Sequence, residues 1–137
     1  MRTELRALAL AKRYFVRQGY TVEDVSRRRG HNGYDLLIEG GGEGELKRIE
    51  VKGATRRWGI PDPYSTEFDA NKRLVADILC VVYFIDDELP QICLIPRDAI
   101  SPDFVSQRTG WRISSRFKKE GMLRQYMRPI PFAENDG

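Results

Sequence analysis

The sequence predicts an α/β domain with a mixed central sheet flanked by helices. Three patterns support this fold class: a helical repeat of apolar residues near the N-terminus, two short β-like segments joined by a Gly-rich turn, and an apolar run at Ile78–Ile85. At 137 residues the chain is expected to form one domain over residues 1–132, followed by a frayed tail at 133–137.

The first predicted element is a helix over Thr3–Gln18, which is followed by Gly19, a residue well suited to the position after a helix end. Its apolar residues recur at helical spacing and include Leu5, Leu8, Ala9, Phe15 and Val16. Glu4 lies in register with the buried stripe and has two interpretations. It is either a partner of the helix dipole in the first turn or an acid directed at a functional site.

A β-hairpin is predicted from Gly33–Glu39 and Lys47–Gly53, which are rich in apolar residues and enclose a Gly-rich turn. If the turn is centred in this Gly-rich segment, Asp35 lies opposite Glu50. Directly opposed Cβ atoms are about 4.5–5.5 Å apart. Lys52, two residues after Glu50, shares its face of the strand. The hairpin therefore predicts two carboxylates and an amine on one patch of sheet, provided that no bulge shifts the register.

Two carboxylates at this distance repel each other unless a cation lies between them. Mg²⁺ is commonly bound by one or two carboxylates together with water and substrate phosphate. A neighbouring Lys can orient a water molecule or stabilise charge on a phosphoryl group. The structural alternative is that Glu50 and Lys52 form an ordinary solvated pair on a strand surface.

The pattern Gly33-Tyr34-Asp35, followed by Ile49-Glu50-Val51-Lys52-Gly53, resembles the PD-(D/E)XK nuclease superfamily of restriction-endonuclease-like folds. Together with Gly19–Ser26, it looks most similar to domains related to the C-terminal domain of the protein NO VEIN, to Mrr-like domains and to archaeal Holliday junction resolvases. The resemblance covers roughly residues 3 to 96 and implies an αβββαβ core. Tyr34 stands where the superfamily's name has Pro, which active members also widely lack.

The resemblance implies that Asp35, Glu50 and the Val51 carbonyl bind Mg²⁺, or Mn²⁺ in its place, and that Lys52 serves catalysis. It also assigns Glu4 to the catalytic set. The expected activity is hydrolysis of phosphodiester bonds in duplex or branched DNA, without a small-molecule cofactor. A cut through two strands needs two sites, so a homodimer is expected. The alternatives are a catalytically inactive nucleic-acid-binding module of the same fold and a nuclease that acts on RNA.

Two clusters of basic residues flank the predicted site in the sequence and are expected to contact the DNA backbone. They consist of Arg27, Arg28 and Arg29 before Asp35, and of Arg56 and Arg57 after Lys52. The other interpretation of such runs is a solvated loop surface.

The second half of the chain predicts another helix at Thr66–Ala76, capped by Ser65 or Thr66 and followed by strands at Ile78–Ile85 and Leu89–Ile95. On this helix Glu67, Asn71 and Lys72 line either the cleft or a polar surface. Basic and aromatic residues alternate over Trp111–Arg128, which favours either a nucleic-acid surface or packing of this segment onto the sheet.

Composition limits the remaining classes of protein. No apolar run approaches the length of a membrane span, and the first residues do not resemble a signal peptide. Cys80 and Cys93 lie in apolar strand-like runs and are expected to be buried free thiols, which fits a cytoplasmic protein. A single His argues against a His-rich zinc site.

Overall fold

The computed structural model of the chain describes residues 2–27, 33–40, 44–108 and 110–134. It contains a long helix, α1 (Thr3–Arg17), and a single-turn helix, α2 (Glu120–Leu123). The strands are β1 (Tyr20–Asp24), β2 (Leu36–Gly40), β3 (Leu46–Ala54), β4 (Ile78–Tyr83), β5 (Gln91–Pro96), β6 (Val105–Ser106), β7 (Arg112–Ile113) and β8 (Met127–Pro129).

Six strands form the central sheet in the order β1-β2-β3-β4-β5-β8, and β6 pairs with β7 in a separate ribbon. Strands β3 and β4 are parallel, whereas the other neighbours in the central sheet are antiparallel. The predicted mixed α/β architecture is confirmed, and the sheet is mostly antiparallel.

The two faces of the sheet are covered differently. The buried stripe of α1, with Leu10 and Phe15, packs on one face against residues such as Ile49 and Val82. The opposite face is covered by the segment between β3 and β4, which buries Phe68, and by the segment after β5, which buries Phe117. Consecutive residues of β3 alternate between the faces, so Glu50 and Lys52 point away from α1.

The predicted register of the hairpin is confirmed. Leu36 pairs with Ile49 and Leu37 with Arg48, which is the alignment that places Asp35 beside Glu50 at the end of the ladder. Because β2 is paired on both sides, with β1 and β3, its register is fixed by two ladders.

The helix predicted at Thr66–Ala76 is wrong. This segment contains one 3₁₀ turn, Ser65–Glu67, followed by a tight loop that is closed by a bridge between Phe68 and Leu74. The Asp69 carboxylate accepts the N–H groups of Asn71 and Arg73. These bonds stabilise a turn in place of helical hydrogen bonds.

The aromatic residues of Trp111–Arg128 pack onto the core, as one of the two interpretations of this segment expected. Trp111 stacks on Phe68 with ring centroids 5.2 Å apart, and Phe117 is fully buried. The chain beyond β8 also returns to α1, where Glu134 pairs with Arg6 at 2.7 Å. Residues 133 and 134 are therefore held against the domain, and 135–137 of the expected tail lie outside the described residues.

Cys80 and Cys93 are buried free thiols, as predicted. Among the described residues, no helix is long and apolar enough to cross a membrane.

Candidate functional site

Asp35 lies at the point where the β2 ladder ends, and its backbone is bonded on both sides. Its N–H donates to the Ile49 carbonyl, and its carbonyl accepts the N–H of Val25, each at 2.8 Å. The Asp35 carboxylate accepts the N–H of Val51 at 2.9 Å through Oδ2. The side chain is therefore directed across the end of the hairpin toward β3, where Glu50 lies.

Glu50 is a buried acid in the middle of β3, with 3% of its surface exposed. Its Oε2 atom is buried and has no hydrogen-bond partner among the described residues. Burial raises the pKa of Glu50 to about 10, and a hydrogen bond to Asp35 and the negative charges of Asp35 and Glu67 add to this effect. Without a bound cation, Glu50 is therefore protonated at neutral pH.

Lys52 is paired with Glu67, which the 3₁₀ turn places beside β3. The Nζ atom lies 2.8 Å from Oε1 and 3.0 Å from Oε2 of Glu67. The Lys52 side chain is 10% exposed and that of Glu67 is 1% exposed. Glu67 also accepts the N–H of Tyr64 at 3.1 Å. This carboxylate holds the ammonium group of Lys52 in one position.

The Val51 carbonyl is the third oxygen predicted to face a metal ion. In a β-strand the N–H and the C=O of one residue point to the same side. The Val51 N–H points to Asp35, so the Val51 carbonyl is directed to the side of β3 on which Asp35 lies. Two carboxylates and one carbonyl, all hard oxygen donors, therefore converge at this end of the hairpin.

The donor set fits Mg²⁺, which requires only one or two protein carboxylates and completes its shell with water and phosphate. The buried, unpartnered Oε2 of Glu50 is the observation that supports this fit. Within the described parts of the chain no cluster of three or more His, Cys, Asp or Glu side chains is arranged to hold a metal ion. Glu67, the third nearby acid, is engaged by Lys52.

These groups line a cleft of about 910 Å³ between the N-terminal half of α1, the hairpin and the 3₁₀ turn. The cleft is rich in acids. Among the described residues of its lining, three are cations, Lys12, Arg27 and Lys52, and six are acids, of which Glu50 is neutral without a bound cation: Glu4, Asp24, Asp35, Glu50, Asp62 and Glu67. These described residues therefore repel a polyanion unless a cation is bound among them.

Glu4 and Arg27 both lie on the cleft wall. Glu4 is exposed in the first turn of α1, and Arg27 is exposed after β1. Gly53 allows α1 to approach β3, because a Cβ atom there would lie 2.8 Å from the Thr3 carbonyl oxygen. Arg28 and Arg29 lie outside the described residues.

Arg56 and Arg57 line a second cleft of about 500 Å³, which adjoins the first because Gly53 and Pro61 line both. Lys118 also lines this second cleft. Arg57 forms an ion pair with Glu88, which neutralises part of its charge. We call the first cleft, which is rich in acids, the acidic cleft, and the second the basic cleft. The two predicted basic clusters are therefore not equivalent, since Arg27 lines the acidic cleft and Arg56 lines the basic cleft.

Glu67 is the site residue that the sequence indicated least clearly. It was expected on a helix, either in the cleft or on a polar surface, and its buried contact with Lys52 depends on a long-range approach of the 3₁₀ turn. Tyr64, which also lines the cleft, was not singled out at all. The pair of prolines at 61 and 63, which excludes a regular helix there, is the only local signal for this part of the wall.

Comparison of the chain with models of protein families, with curated proteins and with solved structures finds no match.

Proposed function

We propose that the protein is a metal-dependent endonuclease of the PD-(D/E)XK type that hydrolyses phosphodiester bonds in DNA. The observation that carries the proposal is the meeting of Asp35 with a buried, incompletely bonded Glu50 in one cleft that also contains Lys52. In this proposal α1 and β1–β5 correspond to the superfamily's core, and a 3₁₀ turn occupies the place of the second helix.

Asp35, Glu50 and the Val51 carbonyl would hold Mg²⁺ or Mn²⁺. When bound, such an ion lowers the pKa of a water ligand and neutralises charge on a phosphate. The excess of carboxylates in the cleft supports the need for a cation, because a phosphate approaching the metal-free site meets a net negative charge. Binding of a divalent ion also requires Glu50 to lose its proton.

Lys52 would act as a fixed positive charge. Its pairing with Glu67 holds the ammonium group in place, where it would orient water or stabilise charge on the phosphate. Glu67 is then a positioning residue that acts through Lys52. Glu4, at the opposite wall, would act in the hydration shell of the site.

The DNA backbone would run from the acidic cleft to the basic one, past Gly53 and Pro61. Arg27, Arg56, Arg57 and Lys118 would contact phosphates along this path. Such contacts do not read the base sequence. A cut through both strands would require two copies of the site, and therefore a homodimer. The protein would act in the cytoplasm.

The test combines binding of Mn²⁺ by calorimetry with cleavage of supercoiled plasmid and of a four-way junction. The variants are Asp35→Asn, Glu50→Gln and Lys52→Met, with Glu39→Gln as the matched control. Glu39 is an exposed acid on β2, the strand that begins directly after Asp35. It does not line the cleft.

We expect both carboxylate variants to lose Mn²⁺ binding and cleavage, Lys52→Met to keep Mn²⁺ binding but lose cleavage, and the control to retain both. Absence of Mn²⁺ binding by the wild-type protein at millimolar ion would refute the proposal. DNA binding that persisted in that case would support the inactive binding module, and cleavage restricted to RNA would change the substrate.

A further inference from the structure

Tyr64 places an aromatic ring at the lip of the acidic cleft. The residue is 70% exposed, although Pro63 before it and Glu67 three residues after it are buried. Leu5, on α1, is another exposed apolar side chain that lines this cleft. An isolated exposed apolar residue is ordinary, but here two of them line one cleft that also contains many charged groups.

The main chain of Tyr64 is fixed by two hydrogen bonds, so its side chain leaves the backbone at a defined point of the cleft. Its N–H donates to Glu67 Oε2 at 3.1 Å, and its carbonyl accepts the Glu67 N–H at 3.0 Å. The same Glu67 carboxylate binds Lys52. One buried acid therefore holds both the main chain of Tyr64 and the ammonium group of Lys52, whose Nζ lies 5.0 Å from the centroid of the Tyr64 ring.

An exposed aromatic ring this close to Lys52, the cation proposed to act on a phosphate, is suited to a nucleobase. Every base has a π-face, and stacking on an aromatic side chain requires no particular base sequence. A base inside a duplex is already stacked and cannot reach such a ring without leaving the helix. A base on Tyr64 must therefore be unpaired, and it would belong to a nucleotide adjacent to the phosphate at Lys52.

We propose that Tyr64 stacks on an unpaired nucleobase, so that the preferred substrate is DNA with single-stranded nucleotides at the cleavage site. This inference rests on the proposed function, because it assigns the substrate of the same cleft. The adjoining basic cleft would then bind the backbone that continues from the stacked nucleotide.

The experiment measures binding of a fluorescein-labelled 16-nucleotide oligothymidine and of a 16-base-pair duplex by anisotropy, with Ca²⁺ present. The variants are Tyr64→Ala, Tyr64→Phe and, as the control, Leu46→Ala. Leu46 is 64% exposed on β3 and does not line the cleft. Thermal melting of each variant checks folding, which the exposed position of both side chains should leave unchanged.

Tyr64→Ala is expected to weaken binding of the single strand by about 5- to 150-fold, the range of one base–aromatic stack. Tyr64→Phe and Leu46→Ala should bind within about twofold of wild type, because stacking needs the ring and not the hydroxyl. Duplex binding should be weaker in wild type and unaffected by Tyr64→Ala. Equal loss for both DNAs, or no loss for the single strand, would overturn the inference.

The two proposals fail in different ways. Metal-dependent cleavage of duplex DNA that is unchanged by Tyr64→Ala would remove the stacking role and leave the nuclease intact. Failure of the wild-type protein to bind either DNA or to cleave DNA with Mn²⁺ would remove both.

Discussion

Lys52 and Glu67 form a buried ion pair in the wall of the acidic cleft, with Nζ 2.8 Å from Oε1. The pair joins β3, which carries Glu50, to the 3₁₀ turn, which carries Tyr64. The ion pair therefore links the position of Lys52, the proposed catalytic cation, to the 3₁₀ turn, which forms the cleft wall opposite the hairpin.

Removing one partner of this pair leaves the other charge buried and uncompensated, which costs about 3–5 kcal/mol. We expect Lys52→Met and Glu67→Gln each to lower the free energy of unfolding by an amount of this order. The double variant should lose much less than the sum, because no buried charge then remains. Urea denaturation of all four proteins gives the coupling free energy. Additive losses would show that the pair is solvated.

Glu50 is expected to make the metal-free protein less stable as the pH rises. Its pKa is raised from 4.5 to about 10, so the folded protein keeps a proton that the unfolded chain releases above pH 4.5. The stabilisation is full below pH 4.5 and is lost progressively toward pH 10, at up to about 1.4 kcal/mol per pH unit.

Glu50→Gln keeps the shape of the side chain and removes its titration. In EDTA, urea denaturation at pH 5.5, 7.0 and 8.5 should show that the variant gains stability relative to wild type as the pH increases. Glu39→Gln, at an exposed position, should follow the wild-type profile. A constant difference between Glu50→Gln and wild type across this range would contradict the expected titration.

The sequence was sufficient to predict features that depend on local alternation and turn chemistry. The register that brings Asp35 to Glu50 follows from the length of the two arms and the Gly-rich turn. The buried strand β4 follows from an uninterrupted apolar run, because both of its faces are covered.

The features that could not be predicted depend on contacts between distant segments. The segment at Thr66–Ala76 has apolar residues that resemble a helical pattern, but the Asp69 turn and the bridge from Phe68 to Leu74 determine its structure. The burial of Glu67 depends on Lys52, which is fifteen residues away in the sequence. Neither contact produces a periodic signal, so the wall opposite the hairpin was predicted incorrectly.

Gly33 is expected to be required for the close packing of the chain just before Asp35 against the backbone of Thr66. It has a φ of +79°, and a Cβ atom would lie 2.3 Å from the Thr66 carbonyl oxygen, next to Glu67. Gly33→Ala should cost about 1–2 kcal/mol for the left-handed backbone and about 1–3 kcal/mol more for displacing the backbone of Thr66.

Gly44→Ala is the matched control, because Gly44 has a φ of +69° but no atom within 4 Å of the added Cβ. It should lose only the backbone contribution. Chemical denaturation of both variants isolates the free energy of the contact between Gly33 and the 3₁₀ turn. Equal losses of stability in the two variants would mean that this contact does not contribute to the stability of the fold.

Lys118 and Arg56 are expected to supply phosphate contacts in the basic cleft, whereas Lys119 is not. Lys118 lines the cleft and its exposed neighbour Lys119 does not. Replacing either lysine with Ala removes one positive charge, so the two variants differ only in the position of that charge. Each lost phosphate contact reduces the slope of log K against log salt by about 0.9 for duplex DNA and about 0.7 for a single strand. We therefore expect Lys118→Ala and Arg56→Ala each to reduce the slope by nearly the amount of one phosphate contact, and Lys119→Ala to leave the slope unchanged.

Titrations of labelled DNA between 50 and 200 mM salt, a range over which such contacts dominate affinity, measure these slopes. If Lys119→Ala reduced the slope as much as Lys118→Ala, the affinity would depend on overall charge, and the path of the backbone through the basic cleft would be wrong.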